Sequence, residues 1–274
     1  MKKVCVITGG GSGIGFAAAK EMIKENYHVI LVGRNAAKLE NAVKELENLG
    51  GSADVFSCDV SDRAACFKLA KYAAETGEVK AVLHIAGMSP HMGDAEKIMK
   101  ANALGTVNIN DAFYPVIAKG GCLIDTSSTS AYMSPSFIMP KKAYKLAYTD
   151  RDKFMKKMMA RVHLFPKKVQ TGVSYGISKH FCIWFAKSDA KRFAQKGARV
   201  LSVTPGNFET PLGSLEQEEA SKYLKFAAVQ RNGLPEEIGP LYAHLCDERL
   251  GYLTGTDILC DGGCIAGGAS AFSR

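Results

Sequence analysis

The stretch "KVCVITGGGSGIG", residues 3–15, decides the fold. Its first six residues form an apolar, β-branched run of strand length, apolar enough to be covered on both faces. Thr8 to Gly15 then place five glycines among eight residues. Glycine lets a backbone turn sharply and come close to a pyrophosphate, and the helix that follows offers free N–H groups and a favourable dipole. Strand, glycine turn and helix in that order predict a dinucleotide site. The alternative is a glycine-rich turn that holds nothing.

Outward from this stretch, short β-branched runs recur: "HVILVG" (28–33), "ADVFSCDV" (53–60), "AVLHIAG" (81–87), "CLIDTSS" (122–128), "RVLSVTPG" (199–206) and "DILCDGG" (257–263). Helical stretches fall between them: one through Glu25, others over 36–48, 61–76 and 95–117, and one opening at "SYGISK" and running to Gln195. This alternation predicts an α/β fold, a Rossmann-like doubly wound parallel sheet with helices on both faces, as a single domain over 1–274. Ligands on such sheets bind beyond the carboxyl ends of the strands.

The 274 residues suffice for a full core, and 47% hydrophobic with 23% charged is a globular composition. The eight cysteines show no C-x-x-C pairing and no metal-ligand spacing. They read as small buried hydrophobes of a reducing compartment, with no metal expected. "MKKVCVIT" does not read as a signal peptide and no apolar run approaches membrane-spanning length, so a cytoplasmic location without a membrane partner is expected. The net charge of +8 comes from one place. Residues 141–168 hold ten Lys/Arg and two Asp, and the other 25 basic and 25 acidic residues cancel.

The second strand closes on Gly33-Arg34, where an NAD site usually has an acid for the ribose hydroxyls. A guanidinium there suits a 2′-phosphate, which favours NADP and leaves NAD as the alternative. Further on, "SYGISKHF" (174–181) sets Tyr175 four residues ahead of Lys179, on one helix face. An ammonium beside a phenol favours phenolate and so recruits tyrosine for proton transfer near neutrality. Tyr144 and Tyr148 have no lysine at that spacing.

Together, Thr8-Gly9-x-x-x-Gly13-x-Gly15 and Tyr175-x-x-x-Lys179 resemble the short-chain dehydrogenase/reductase family. The resemblance runs nearly end to end. Asp59 and Val60 in "CDV" match its adenine-contacting position. "HIAG" stands at the family's N-N-A-G, with Ala86 and Gly87 matching while His84 and Ile85 depart. Asn102 in "KANALGT" falls at the family's helix asparagine, and "DTSSTSA" matches N-x-S-S with Ser128 at the catalytic position. "TPGNFETP" (204–211) is similar to the segment flanking the nicotinamide, and "YLTGTDILCDGG" (252–263) to the closing strand.

The resemblance implies cofactor contacts from Thr8, Gly9, Gly11, Ser12, Gly13, Ile14 and Gly15, and from Arg34, Asp59, Val60, Ala86 and Gly87. It adds Pro205, Gly206, Phe208 and Thr210. Tyr175 would donate a proton to a carbonyl oxygen, or accept one in alcohol oxidation. Lys179 would hold the ribose hydroxyls and depress the tyrosine pKa. Ser128 would hydrogen-bond the substrate oxygen, and Asn102 would support a water-linked proton path to Lys179. A homodimer or homotetramer is implied.

Ser128 and Tyr175 stand 47 residues apart, far more than the family usually keeps. The excess is a basic helical insertion over 134–170. In "DRDKFMKKMMARVHL", Phe154, Met155, Met158, Met159 and Val162 recur at helical spacing with lysines opposite. One reading is a lid whose lysines receive an anionic, apolar substrate. The other is a helical subdomain packed on its own core or on a neighbouring subunit. Similar insertions in some bacterial hydroxysteroid dehydrogenases of this family point to a steroid or bile acid. The expected function is an NADP(H)-preferring oxidoreductase interconverting a secondary alcohol and a ketone. Alternatives are a 3-oxoacyl thioester or small-carbonyl reductase and, outside enzymes, a dinucleotide sensor. No zinc spacing or aromatic stretch points to nucleic acid.

Overall fold

The computed structural model describes residues 2–270 and 273, with 216–220 in backbone only. Seven strands form one parallel sheet: β1 (Lys3–Thr8), β2 (His28–Gly33), β3 (Ser52–Ser57), β4 (Glu78–His84), β5 (Ile117–Thr126), β6 (Arg199–Pro205) and β7 (Asp257–Cys260). Their order is β3-β2-β1-β4-β5-β6-β7. The chain starts at β1, winds outward to β3, then crosses to β4 on the other side of β1. That reversal opens a crevice at the carboxyl ends of β1 and β4.

The helices are α1 (Gly13–Lys24), α2 (Ala36–Asn48), α3 (Arg63–Thr76), α4 (Ala95–Met99), α5 (Gly105–Phe113), α6 (Ser130–Met133), α7 (Lys141–Tyr144), α8 (Arg151–Val162), α9 (Gln170–Ala194), α10 (Gln217–Leu224) and α11 (Pro235–Leu245). Along β1, Cys5 and Ile7 join one buried cluster with α1, α2 and α11, while Val4 and Val6 join another with α3, α5 and α9. Val4 to Ile7 are wholly buried, as a central strand covered on both faces requires. Seven of the eight cysteines are buried, and all eight are free thiols.

The largest differences from the sequence reading fall in three places. The helix expected over 95–117 is α4, a π-helical turn over Lys100–Leu104, and α5, which ends at Phe113. β5 starts at Ile117, not at 122, because Ile117 pairs with Val79 before a register shift brings Cys122 opposite Ala81. Gly120 and Gly121 in that irregularity look like a turn from sequence. The helix carrying Tyr175 begins at Gln170, which places the tyrosine in the second turn. Ser174 Oγ donates to the Ala95 carbonyl at 2.6 Å and Gln170 Nε2 to the Phe165 carbonyl at 2.9 Å, anchoring the added turn.

The basic stretch folds back on its own chain. Phe154, Met158, Met159 and Val162 of α8 pack with Ile138, Tyr144 and Ala147 against Met99, Val107, Ile177, Phe181 and Phe185. Tyr148 stacks on Phe185 at 5.0 Å and Phe154 lies 4.8 Å from Phe181, ring centre to ring centre. Polar ties reinforce this. Arg151 and Arg192 converge on Asp111, and Tyr148 Oη donates to Asp189 Oδ1 at 3.0 Å.

Candidate active site

A cavity of about 570 Å³ opens beyond the carboxyl ends of the central strands. Its floor is the glycine turn. Gly9 adopts φ +72 and Gly13 φ +54, the left-handed region that glycine enters without strain. At Gly15 an added Cβ would lie 2.3 Å from the Gly9 carbonyl oxygen, so turn and helix approach more closely than any side chain permits. α1 has no acidic residue in its first turn, and Ser12 makes no side-chain cap there. The leading N–H groups of α1 are therefore left for an anion at the positive end of the helix dipole. This cradle fits the phosphates of a dinucleotide.

Arg34, just past β2, is exposed and lines the cavity, as does Lys38 in the first turn of α2. Asn35 caps that helix, its Oδ1 accepting from the Lys38 amide at 3.1 Å. Asp59 and Val60 line the same side, Asp59 held by Ser61 through its amide at 2.9 Å and its hydroxyl at 2.7 Å. Ser128, after β5, stands three strand spacings from Arg34, about 14 Å across the sheet.

Ser128, Tyr175 and Lys179 all line the cavity. Lys179 Nζ donates to the Thr126 carbonyl at 2.8 Å and lies 5.9 Å from the Tyr175 ring centre. The helix itself is fixed to β5, because Ser127 Oγ donates to the Lys179 carbonyl at 2.8 Å. Ser128 Oγ accepts from the Ser130 amide at 3.3 Å, which leaves its proton to be given elsewhere. Pro205, Gly206, Phe208 and Thr210 close the opposite wall.

Two residues expected at the cavity stand behind it. The Thr8 side chain points under the turn: its Oγ1 accepts from the Ala86 amide at 3.1 Å and meets His84 Nδ1 at 2.9 Å. That hydroxyl and the His84 imidazole share one hydrogen bond, whose donor is set by the His84 tautomer. Asn102 sits on the π-helical turn, 3% exposed, and its amide is engaged by Met88 N–H at 2.8 Å, Met88 carbonyl at 3.0 Å and Ser178 Oγ at 3.2 Å. An extra residue in a helical turn rotates one side chain inward, and here it is this one. The Asn102 amide braces the loop after β4 against α9.

His84, one of the departures from the family pattern, lies in a row of polar side chains across the sheet. Thr8, His84, Asp125, Ser202 and Asp257 occupy one register row across five strands. Burial holds the His84 imidazole down to about 3, with the Lys179 ammonium adding to the effect. Burial pushes the Asp125 carboxyl well up, while Asn110 Nδ2 donates to both its oxygens at 2.9 and 3.0 Å.

No residue of 134–170 lines the cavity, so the lid reading of the basic stretch gives way to packing on α9. Sequence reasoning missed Lys38, Met88, Met92, Leu212 and Leu215, all of which line it. Lys38 alone had a signal, being four residues past Arg34 at the start of a helix.

Comparison with known proteins agrees with this geometry. A family described as short chain dehydrogenase matches residues 3–162, and one described as Enoyl-(Acyl carrier protein) reductase matches 159–264. The chain belongs to the short-chain dehydrogenase/reductase family. It is an oxidoreductase. Among its relatives, the sorbose reductase of Schizosaccharomyces pombe is 29% identical over 95% of each chain. The 3-oxoacyl-[acyl-carrier-protein] reductase of Thermotoga maritima is 27% identical over 96% of this chain and 98% of that one. A short-chain dehydrogenase from Burkholderia cenocepacia, solved in complex with NADP, superposes with a TM-score of 0.77 at 20% identity, covering 96% and 98% of the two chains. Among the described residues no helix is long and apolar enough to cross a membrane.

Proposed function

We propose that this chain reversibly reduces a ketone to a secondary alcohol with NADPH, using Tyr175, Lys179 and Ser128. The observation that carries the reading is the convergence of those three side chains on one cavity whose other side presents Arg34 and Lys38. When bound, the dinucleotide supplies or receives the hydride. Arg34 and Lys38 offer two cations to a 2′-phosphate, which favours NADP over NAD. The amides opening α1 hold the pyrophosphate.

In reduction, the Tyr175 hydroxyl gives its proton to the carbonyl oxygen, while Ser128 Oγ donates a hydrogen bond to the same atom. Lys179 Nζ, fixed by the Thr126 carbonyl, stabilises the phenolate left behind. Asn102 acts by position, holding Met88 and Ser178 on either side of the site. The proton path imputed to it then runs past Gly87, where an added Cβ would stand 3.1 Å from Asn102 Oδ1 and 3.2 Å from Lys179 Nζ.

The substrate class is an apolar ketone or alcohol, since Met88, Met92, Leu212 and Leu215 line the same cavity. A steroid or bile acid is one member of that class and a 3-oxoacyl thioester another. The basic stretch no longer selects an anionic one. The test is Tyr175→Phe assayed with NADPH across a ketone panel. Turnover falls roughly 10²–10⁴-fold while NADPH affinity is kept. Turnover at the unmodified rate would refute the assignment.

A further inference from the structure

Residues 141–168 carry a charge equal to the chain's whole net charge, and the corner where α8 ends carries two of the three most exposed large apolar side chains among the described residues. Of the ten Lys/Arg in 141–168, only Arg151 pairs with a carboxylate among the described residues. α8 turns Phe154, Met158 and Val162 inward, which leaves Lys153, Lys156 and Lys157 exposed on its outer side. At its end Arg161 donates to the carbonyls of Ile138, at 2.9 Å, and Phe137, so the 136–138 turn and the end of α8 form one corner. On that corner Phe137 is 73% exposed and Leu164 is 71% exposed, exceeded among described large apolar residues only by Tyr252. Lys167 and Lys168, both exposed, follow directly.

We infer that this corner docks the protein on an anionic lipid surface, with Phe137 and Leu164 entering the headgroup layer and Lys153, Lys156, Lys157, Lys167 and Lys168 meeting lipid phosphates and carboxylates. Charge complementarity excludes a second copy seated on the same patch, since like would face like. An acidic protein would supply the opposite charge. Two protruding apolar side chains beside unpaired lysines, however, differ from the apolar core with a polar rim that a protein partner covers. They match the boundary between headgroups and acyl chains, where rings and aliphatic tips are buried and ammonium groups remain at the surface. The sequence reading expected no membrane partner because nothing spans a bilayer; a peripheral contact needs no span. This inference is independent of the catalytic reading.

The experiment is co-sedimentation of the full chain with vesicles of phosphatidylcholine alone and of phosphatidylcholine with about 30% phosphatidylserine. Binding is expected on the anionic vesicles only, and is lost at about 0.5 M salt. Lys153→Glu/Lys157→Glu/Lys168→Glu should weaken it at least ~10-fold. Phe137→Ser/Leu164→Ser should weaken it further at fixed charge, with thermal midpoint, oligomer size and turnover unchanged in both variants. No binding at about 0.1 M salt, binding indifferent to charge reversal, or a change in oligomer size in either variant overturns the inference. So does tighter retention on an acidic soluble protein than on the vesicles.

Discussion

His84 makes folding sensitive to acid in a way one substitution can isolate. The side chain is 2% exposed at the end of β4 and is held to about 3, first by burial and then by the Lys179 ammonium. An imidazole in the unfolded chain titrates near about 6.5. The folded value is depressed, so below that pH the unfolded chain takes up a proton that the folded chain refuses. The contribution to stability is complete above about 6.5 and drains away as pH falls toward 3, at about 1.36 kcal/mol per pH unit. Between about pH 6.5 and about pH 4.5 His84 alone should therefore remove about 3 kcal/mol. Replacing it with Asn keeps a neutral hydrogen-bonding partner for the Thr8 hydroxyl and removes the titration. Asp189, pushed up by burial, and His180, held down to about 4, titrate in both proteins and cancel in the difference. The assay is urea unfolding across that range for wild type and His84→Asn. The difference in unfolding free energy should be flat above about pH 7 and shift by about 3 kcal/mol by about pH 4.5. Parallel curves would show that His84 protonates without penalty and refute the argument.

Three further outcomes follow from distances and burial already given. Arg34→Asp should lower kcat/KM for NADPH on the order of ten- to hundred-fold and raise that for NADH, through loss of a charge-assisted contact; unchanged selectivity removes the ground for NADP. Gly15→Ala puts a Cβ 2.3 Å from the Gly9 oxygen, so nucleotide titration should show dinucleotide affinity reduced at least ~10-fold, the loss of one or two good polar contacts. Phe154→Ala empties a wholly buried ring site between α8 and α9, costing about 3–5 kcal/mol in denaturant unfolding while turnover per folded molecule holds; loss of turnover at unchanged stability would return the basic stretch to the substrate.

What was legible from sequence was local. The glycine turn and the Tyr175–Lys179 pair lie within single elements, so their spacing alone sets their geometry. The amphipathic reading of α8 was equally local: Phe154, Met158, Met159 and Val162 are buried as expected. Illegible features depend on how distant segments register. No spacing along the chain announces that His84 and Asp125 are neighbours, because strand register is a tertiary outcome. The π-helical turn that carries Asn102 looks like ordinary helix in sequence, yet it decides that the amide faces Met88 rather than the cavity. The partner of the apolar face of α8 was undecidable too, since a lid and a packed subdomain have the same pattern.

α9 joins these levels. Lys179 and Cys182 face the sheet, and both interact electrostatically with Asp125. Ile177, Phe181 and Phe185, spaced by four, turn away from it into the aromatic cluster built by Tyr144, Tyr148 and Phe154. Ser174 and Ser178 tie the same helix to the Ala95 carbonyl and to Asn102. The helix that positions Lys179 is thus clamped between the strand row and the basic stretch. Truncating that stretch would expose Ile177, Phe181 and Phe185 and free the turn before Tyr175, even though it contributes no atom to the cavity. Its effect on chemistry runs through the orientation of α9, so substitutions within its core should alter stability first and turnover only when α9 itself shifts.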